Sequence, residues 1–168
     1  MYEAASVETS LYIDAEQSAL AVIPYYSVSF DLTITKKGNA GFDASLLTLI
    51  SNFRNGSKVG EKTADYGYFL KYNTSNQTFA TVKSLGNTSI LNAQNSIAIE
   101  VGRQYKITVV VDNIKHCAHV FVNDIYIGIS EKSMVDMSSN ETCYPSFKFN
   151  DGGNFYPIYD NFKIIAIK

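Results

Sequence analysis

Two consecutive runs of alternating apolar and polar residues between Val101 and Ser130 constrain the fold of this chain more than any other feature. The apolar side of the first run is formed by Tyr105, Ile107, Val109 and Val111. Val110 is the one apolar residue on the polar side of this run. Asp112-Asn113 then supplies a turn, and the alternation of apolar and polar residues resumes over residues 118–127. Alternation rich in β-branched and aromatic residues, interrupted by Asp and Asn, is typical of antiparallel strands with one buried face. The segment therefore predicts a β-hairpin.

The rest of the chain carries the same signal in shorter pieces. Residues 26–35 form the clearest half-buried strand, because apolar residues alternate there with Ser, Asp and Thr. Further strands are predicted over 44–53, 66–72, 79–83, 89–91, 97–101, 146–150 and 159–167. Residues 14–24 stay open between a short helix capped by Asp14 and an edge strand followed by a turn. Many short strands without a linker predict one all-β domain over residues 1–168, a two-sheet antiparallel β-sandwich with almost no α-helix.

Charge and hydropathy argue against two classes of function. The formal net charge of −2 comes without any basic cluster, so a nucleic-acid partner is not expected. No apolar run approaches the roughly 18 residues that a membrane-spanning helix needs. Because foldable sequence begins almost at Met1, we expect a monomeric module cut from a larger secreted or cell-surface protein.

The central hairpin resembles that of laminin-G-like and concanavalin A-like jelly rolls. The residues that carry this resemblance are Gly102, Tyr105, Val109, Val111, Asp112, Phe121, Val122 and Asn123. The closing run Tyr159–Ile164, YDNFKI, is similar to the last strand of laminin-G-like modules and of several carbohydrate-binding modules. Tyr105 stands where many members have Trp, and Asn123-Asp124 replaces Asn-Gly, which requires Asp124 to accept a left-handed backbone. The resemblance implies a jelly roll of concanavalin A-like type and a lectin-like role in carbohydrate recognition.

The sequence offers no recognisable catalytic constellation. Hydrolases on this fold pair two carboxylates, about 5–5.5 Å apart in retaining enzymes. Such pairs usually appear as acids that alternate along one strand, and no acid lies two residues from Asp31. His116, Cys117 and His119 lack the second cluster that a structural zinc site needs, and alternation places His116 on the face opposite to the other two. We therefore predict a domain that is not an enzyme.

A polysaccharide or oligosaccharide is the predicted partner, bound on a concave sheet or at a loop edge. Carbohydrate modules stack sugar rings on exposed aromatic residues and hold hydroxyl groups with polar side chains. We predict Tyr66, Tyr68 and Tyr126 for stacking, and Asp31, Arg54 and Lys148 for hydroxyl contacts. Trp is absent, although most such modules favour it. This absence keeps open an adhesion or structural domain that binds a protein, and the exposure of the tyrosines, including Tyr72 and Tyr156, would discriminate between the two.

The resemblance also implies a structural Ca²⁺ between the N-terminal segment and the last strand. Asp160 matches the position of the usual ligand, and Glu8 or backbone carbonyls could complete the site. Calcium takes about six to eight oxygen ligands, so Asp160 would not suffice alone, and it could equally cap a turn. Cys117 and Cys143 could form a disulfide or remain two free thiols.

Overall fold

The computed structural model describes residues 9–12, 24–37, 44–50, 67–73, 75–85, 88–112, 114–115, 117–131, 146–149 and 155–167. All regular secondary structure in these ranges is β-strand, and they contain no helix. The strands are β1 Thr9–Tyr12, β2 Tyr25–Lys37, β3 Ala44–Ile50, β4 Gly67–Asn73, β5 Thr78–Leu85, β6 Thr88–Asn92, β7 Gln104–Asp112, β8 Cys117–Val122, β9 Ile125–Glu131, β10 Ser146–Phe149 and β11 Phe155–Ala166. The two structures considered for residues 14–24 lie almost wholly outside the described residues.

The strands form two antiparallel sheets. A six-stranded sheet has the order β1-β10-β3-β4-β5-β6, and a five-stranded sheet has the order β11-β2-β7-β8-β9. The prediction of an all-β, two-sheet antiparallel sandwich is confirmed. Several strand ends differ from the sequence prediction by a few residues, and two runs differ in kind. Residues 118–127 are divided between β8 and β9 by a turn, and residues 97–101 form a single bridge from Ala98 to Thr78 instead of a strand.

The core lies between the two sheets and is built from the apolar side of each alternating strand. In the five-stranded sheet it takes Phe30 and Leu32 from β2 and Val109 and Val111 from β7, all almost fully buried. The six-stranded sheet contributes Leu46, Tyr68, Leu70, Tyr72, Phe79 and Val82. The Tyr159 hydroxyl adds a polar link between the sheets by donating a hydrogen bond of 2.5 Å to the carbonyl oxygen of Leu46.

Two tight turns set the register of the central hairpins. Asn123 and Asp124 both adopt a left-handed backbone, with φ of 50° and 63°, as the two-residue turns that match strand twist require. The left-handed backbone predicted for Asp124 is therefore confirmed. At the preceding turn, Asp112 Oδ1 accepts hydrogen bonds from the N–H groups of Ile114 and Lys115. The side chain of Asp112 thereby ends β7 and starts the turn, as the sequence predicts.

Candidate functional site

The outward side of the five-stranded sheet is the candidate site. We call it the outer face and define it by Ser27, Ser29, Asp31, Thr33, Lys106, Thr108, Val110, His119, Phe121, Tyr126, Ile129, Asp160, Lys163 and Ile165. These residues alternate along their strands with buried core residues, so their side chains point away from the six-stranded sheet. Among the described strands, those of the six-stranded sheet contact this sheet on its core side, and none lies over the outer face. The outer face is therefore not covered by any strand that the structure describes.

Three aromatic rings gather at the β8–β9 end of the outer face. Phe121 lies opposite Tyr126 in the register, and their ring centroids are 5.3 Å apart. The His119 ring lies 5.9 Å from the Tyr126 ring, and its Nδ1 is 3.3 Å from the Tyr126 hydroxyl. All three side chains are half-buried. We call His119, Phe121 and Tyr126 the aromatic patch; it offers exposed ring surface next to hydrogen-bonding groups.

Val110, the apolar exception on the polar side of its strand, is explained by the aromatic patch. It lies directly opposite His119 on β8, and Ile129 lies opposite His119 on the other side. These two aliphatic side chains flank the imidazole ring in one cross-strand row. Side-chain pairs across strands stabilise a sheet by roughly 0.2–1 kcal/mol each, so Val110 and Ile129 help to hold the His119 ring in place.

Short hydroxyl side chains occupy the middle of the outer face. Thr108 on β7 and Ser29 on β2 are cross-strand neighbours, and Thr108 lies opposite Phe121. Lys163 on β11 lies opposite Ser29, so one row runs from Tyr126 across all five strands to Lys163. Four strand spacings correspond to about 19 Å. The row therefore places the two short hydroxyl side chains of Thr108 and Ser29 between larger side chains at both ends.

Two carboxylates meet at the β2–β11 end of the outer face. Asp31 lies directly opposite Asp160, next to a bulge in β11 at which Asn161 has a φ of 54°. The Asn161 side-chain amide donates to Asp31 Oδ2 at 2.7 Å, and its backbone N–H donates to Asp160 Oδ1 at 2.8 Å. The sequence pattern missed this acid pair because its members lie on different strands. Asp160 is exposed and Asp31 is half-buried.

The structure places the predicted binding residues very differently. Asp31 and Tyr126 share the outer face, separated by three strand spacings, or about 14 Å. Lys148 belongs to β10 in the six-stranded sheet, where it pairs with Ser10 and Thr48, so its strand does not contribute to the outer face. Arg54, Tyr66 and Glu8 lie outside the described residues.

The prediction of Tyr68 as a stacking residue is wrong. Its side chain is 2% exposed, and Tyr72 is also buried. Both tyrosines lie with Leu70 on the side of β4 that faces the core. The alternation correctly placed these three residues on one face, but that face is the inner one. Tyr156, in contrast, is 38% exposed, and the Lys36 ammonium lies 5.3 Å from its ring centroid.

Phe121 and His119 are the members of the site that sequence reasoning did not select. The signal was present, since both alternate with Val120 and Val122, which are buried. It was insufficient because alternation assigns a residue to a face without indicating which partner strand brings another ring beside it. That information comes from the register between β8 and β9.

Burial and nearby charge keep two groups around the aromatic patch neutral. Burial raises the pKa of the Tyr126 hydroxyl, and the neighbouring Cys117 raises it further. Burial also raises the pKa of the Cys117 thiol, and the Asp112 carboxylate adds to this effect. Cys117 is a buried free thiol, which agrees with the two-thiol alternative; Cys143 lies outside the described residues.

The described residues alone do not fit a calcium site. They contain no group of three or more His, Cys, Asp and Glu side chains able to hold a metal ion. Asp31 and Asp160 bring two carboxylates together, whereas calcium takes about six to eight oxygens. The backbone N–H of Asn161 already donates a hydrogen bond to Asp160 Oδ1, as the turn-capping alternative expects.

The described ranges also contain no helix long and apolar enough to cross a lipid bilayer.

Comparison with known proteins supports the fold and leaves the function open. The sequence matches no protein-family model and no curated protein. A Trypanosoma rangeli sialidase in complex with 2,3-difluorosialic acid is similar in structure, with a TM-score of 0.64 and 8% sequence identity over 99% of this chain and 25% of the sialidase chain. A structure described as a receptor binding domain gives a TM-score of 0.56 and 11% identity over 96% of this chain and 36% of that chain.

A third similar structure is the carbohydrate-binding module CBM66 from Bacillus subtilis, with 15% identity over 85% of this chain and 76% of that module. Its TM-score of 0.49 is too low to support a conclusion about this chain. This chain spans about a quarter of the sialidase chain that it resembles. The fold is a two-sheet antiparallel β-sandwich. At these identities the likeness concerns the fold alone, because one fold hosts many activities.

Proposed function

We propose that this domain is a non-catalytic carbohydrate-binding module of a secreted or cell-surface protein, which binds an oligosaccharide or polysaccharide on the outer face. The observation that carries the proposal is the aromatic patch of His119, Phe121 and Tyr126 beside the hydroxyl groups of Thr108 and Ser29, on a sheet face that no described strand covers. We expect the domain to act as a monomeric unit within a longer chain.

The outer face offers partners for both the apolar C–H groups and the hydroxyl groups of a sugar. The C–H side of a pyranose ring is apolar and packs against aromatic rings, while its hydroxyl groups seek polar partners. Phe121 and Tyr126 supply the rings, Thr108 and Ser29 supply hydroxyl groups, and Asp31 supplies a carboxylate acceptor. Binding should be weak, because exposed polar groups must release water before they contact the ligand.

The Asp31–Asp160 pair does not favour a hydrolase. A glycosidase needs one carboxyl group to remain protonated as a general acid, which usually requires a desolvated pocket. Asp160 is exposed on an open sheet, and both carboxylates already accept hydrogen bonds from Asn161. In our proposal the pair therefore contacts ligand hydroxyl groups and performs no covalent chemistry.

Substitution of the aromatic patch tests the proposed function. A glycan array first identifies a ligand, and calorimetry then compares the wild type with Phe121→Ala and Tyr126→Ala. Loss of a stacking ring should weaken binding on the order of tenfold, which corresponds to roughly 1.4 kcal/mol. Tyr156→Ala is the matched control, because it removes an exposed tyrosine that belongs to neither the patch nor the row. Equal affinities for all four proteins would contradict the proposed site.

An adhesion domain that binds a protein is the second candidate. Its supporting observation is the exposure of large aliphatic side chains on and just after β11, where Ile158, Ile165 and Ile167 are 46%, 57% and 40% exposed. Large apolar side chains left exposed along one strand are a feature that a protein contact surface would cover. If the array yields no glycan while the domain binds intact cells, and Ile158→Ser with Ile165→Ser abolishes that binding, this second function replaces the first.

A structural calcium ion remains part of the proposal, with Asp160 and Glu8 as its ligands together with backbone carbonyls. If it binds, EDTA should lower the melting temperature, and Asp160→Ala should remove the response to added calcium. A melting temperature that does not respond to EDTA or calcium in either protein would remove the ion from the proposal.

A further inference from the structure

Negatively charged groups outnumber positively charged groups on the outer face and its bordering turns. The described carboxylates there are Asp31, Asp112, Asp124, Glu131 and Asp160. The described ammonium groups there are Lys106, Lys115 and Lys163. The excess of described carboxylates lies at the border, because the outer face itself holds Asp31 and Asp160 against Lys106 and Lys163.

Two of these lysines are already engaged. Lys106 Nζ lies 3.0 Å from Asp124 Oδ1, and Lys115 Nζ lies 3.9 Å from Asp112 Oδ2. These exposed pairs contribute little to stability, but they reduce the positive charge available to an incoming anion. Lys163 then stands opposite Ser29, three residues after Asp160, where its charge is offset by the Asp31–Asp160 pair.

No described arginine lies on the outer face. A carboxylate ligand is held best by the planar, two-pronged guanidinium group of arginine. Arg103 lies in the turn before β7, where its Nη1 is 2.7 Å from Glu100 Oε1 and its guanidinium carbon is 5.3 Å from the centroid of the Tyr105 ring. Arg103 is therefore paired with Glu100 and does not lie on the outer face. Arg54 lies outside the described residues.

We infer that the outer face selects neutral glycans and disfavours sugars that carry a carboxylate, such as sialic or uronic acids. This inference rests on the proposed function and assigns the ligand class of the same site. Hydroxyl groups of a neutral sugar can donate to Asp31 and Asp160, and hydrogen bonds to a charged acceptor are the stronger kind. A carboxylate in that position would meet two like charges and no arginine from the described residues. The likeness to a sialidase thus concerns the fold and does not extend to its acidic ligand.

Matched pairs of glycans test this inference. The array carries each neutral glycan beside a counterpart with a carboxylate, for example N-acetyllactosamine with and without terminal sialic acid. The neutral member should bind about fivefold more tightly at low salt, as expected for one like-charge contact in water. The difference should shrink as salt screens the charges.

Two variants separate the effect of the acid pair from net charge. Asp160→Asn, alone or with Asp31→Asn, should reduce the preference for the neutral member. Glu100→Gln removes the same charge away from the outer face and should leave the preference unchanged. Tighter binding of acidic members by the wild type would overturn the inference and leave the proposed function intact. Binding of no glycan at all would overturn the proposed function and the inference with it.

Discussion

Tyr105 illustrates what a single side chain contributes to this fold. Its ring is fully buried beside Phe79, with ring centroids 5.0 Å apart. Its hydroxyl donates to the carbonyl of Ala98 at 3.0 Å and accepts from the N–H of Glu100 at 2.8 Å. Tryptophan, which often occupies this position in the resembling families, has a ring N–H that only donates and could not make both bonds. Tyr105 thus fixes the segment before β7, which has little strand pairing of its own.

We expect Tyr105→Phe to lower the free energy of unfolding by about 1–3 kcal/mol, because two part-buried hydrogen bonds to backbone groups are lost. Urea denaturation measures the change. Tyr25→Phe is the control, since Tyr25 is 38% exposed and its substitution should alter stability by less than about 0.5 kcal/mol. Equal effects of the two substitutions would show that the buried hydroxyl has no special role.

The two-residue turn between β8 and β9 shows how an element depends on backbone conformation. Asn123 donates its N–H to the Lys106 carbonyl at 2.8 Å, and its Oδ1 accepts from the Lys106 N–H at 2.9 Å. The turn is thereby tied to β7 as well as to its own strands. Asp124 has a φ of 63°, which residues other than glycine adopt only at a cost.

We expect Asp124→Gly to raise the free energy of unfolding by up to about 1 kcal/mol and Asp124→Val to lower it, because valine is the least tolerant of a left-handed backbone. Both substitutions remove the exposed ion pair with Lys106, so their difference isolates the backbone effect. Thermal melting of the two variants measures it. Identical melting temperatures would contradict the assigned turn.

Strand alternation predicted the elements better than it predicted the site. The faces of β2 and β7 follow directly from the spacing of their apolar residues. The face of β4 does not, because Tyr68 and Tyr72 suit either a core or an exposed platform. The Asp31–Asp160 pair depends on register and on a bulge between strands that are distant in sequence. Local patterns carry no information about such register, so they could not predict the acid pair.

At the scale of the whole molecule, the sandwich buries several tyrosines and a cysteine in neutral form. Burial raises the pKa of Tyr26, Tyr72, Tyr126 and Cys117 above their ordinary values. The folded protein therefore retains these protons at a pH at which the unfolded chain loses them. The resulting stabilisation is fully present at neutral pH and is lost as the pH rises above the ordinary tyrosine pKa of 10.0.

We expect the free energy of unfolding to be lower at about pH 11 than at about pH 8, with Tyr26 as the largest contributor because it lies deep in the core. Urea denaturation at the two pH values measures this difference. Tyr26→Phe removes the ionisable group and should reduce the difference. An unchanged pH dependence in that variant would assign the alkaline loss to other groups.

Amide chemical-shift mapping by NMR tests most directly whether the outer face of the five-stranded sheet binds a glycan. The isotope-labelled domain is titrated with the strongest neutral ligand from the array. The largest shifts should fall on Thr108, Phe121 and Tyr126, and Thr78 in the six-stranded sheet should remain unchanged. Shifts concentrated on the six-stranded sheet, or an array without any ligand, would contradict the assignment of this face as a carbohydrate-binding site.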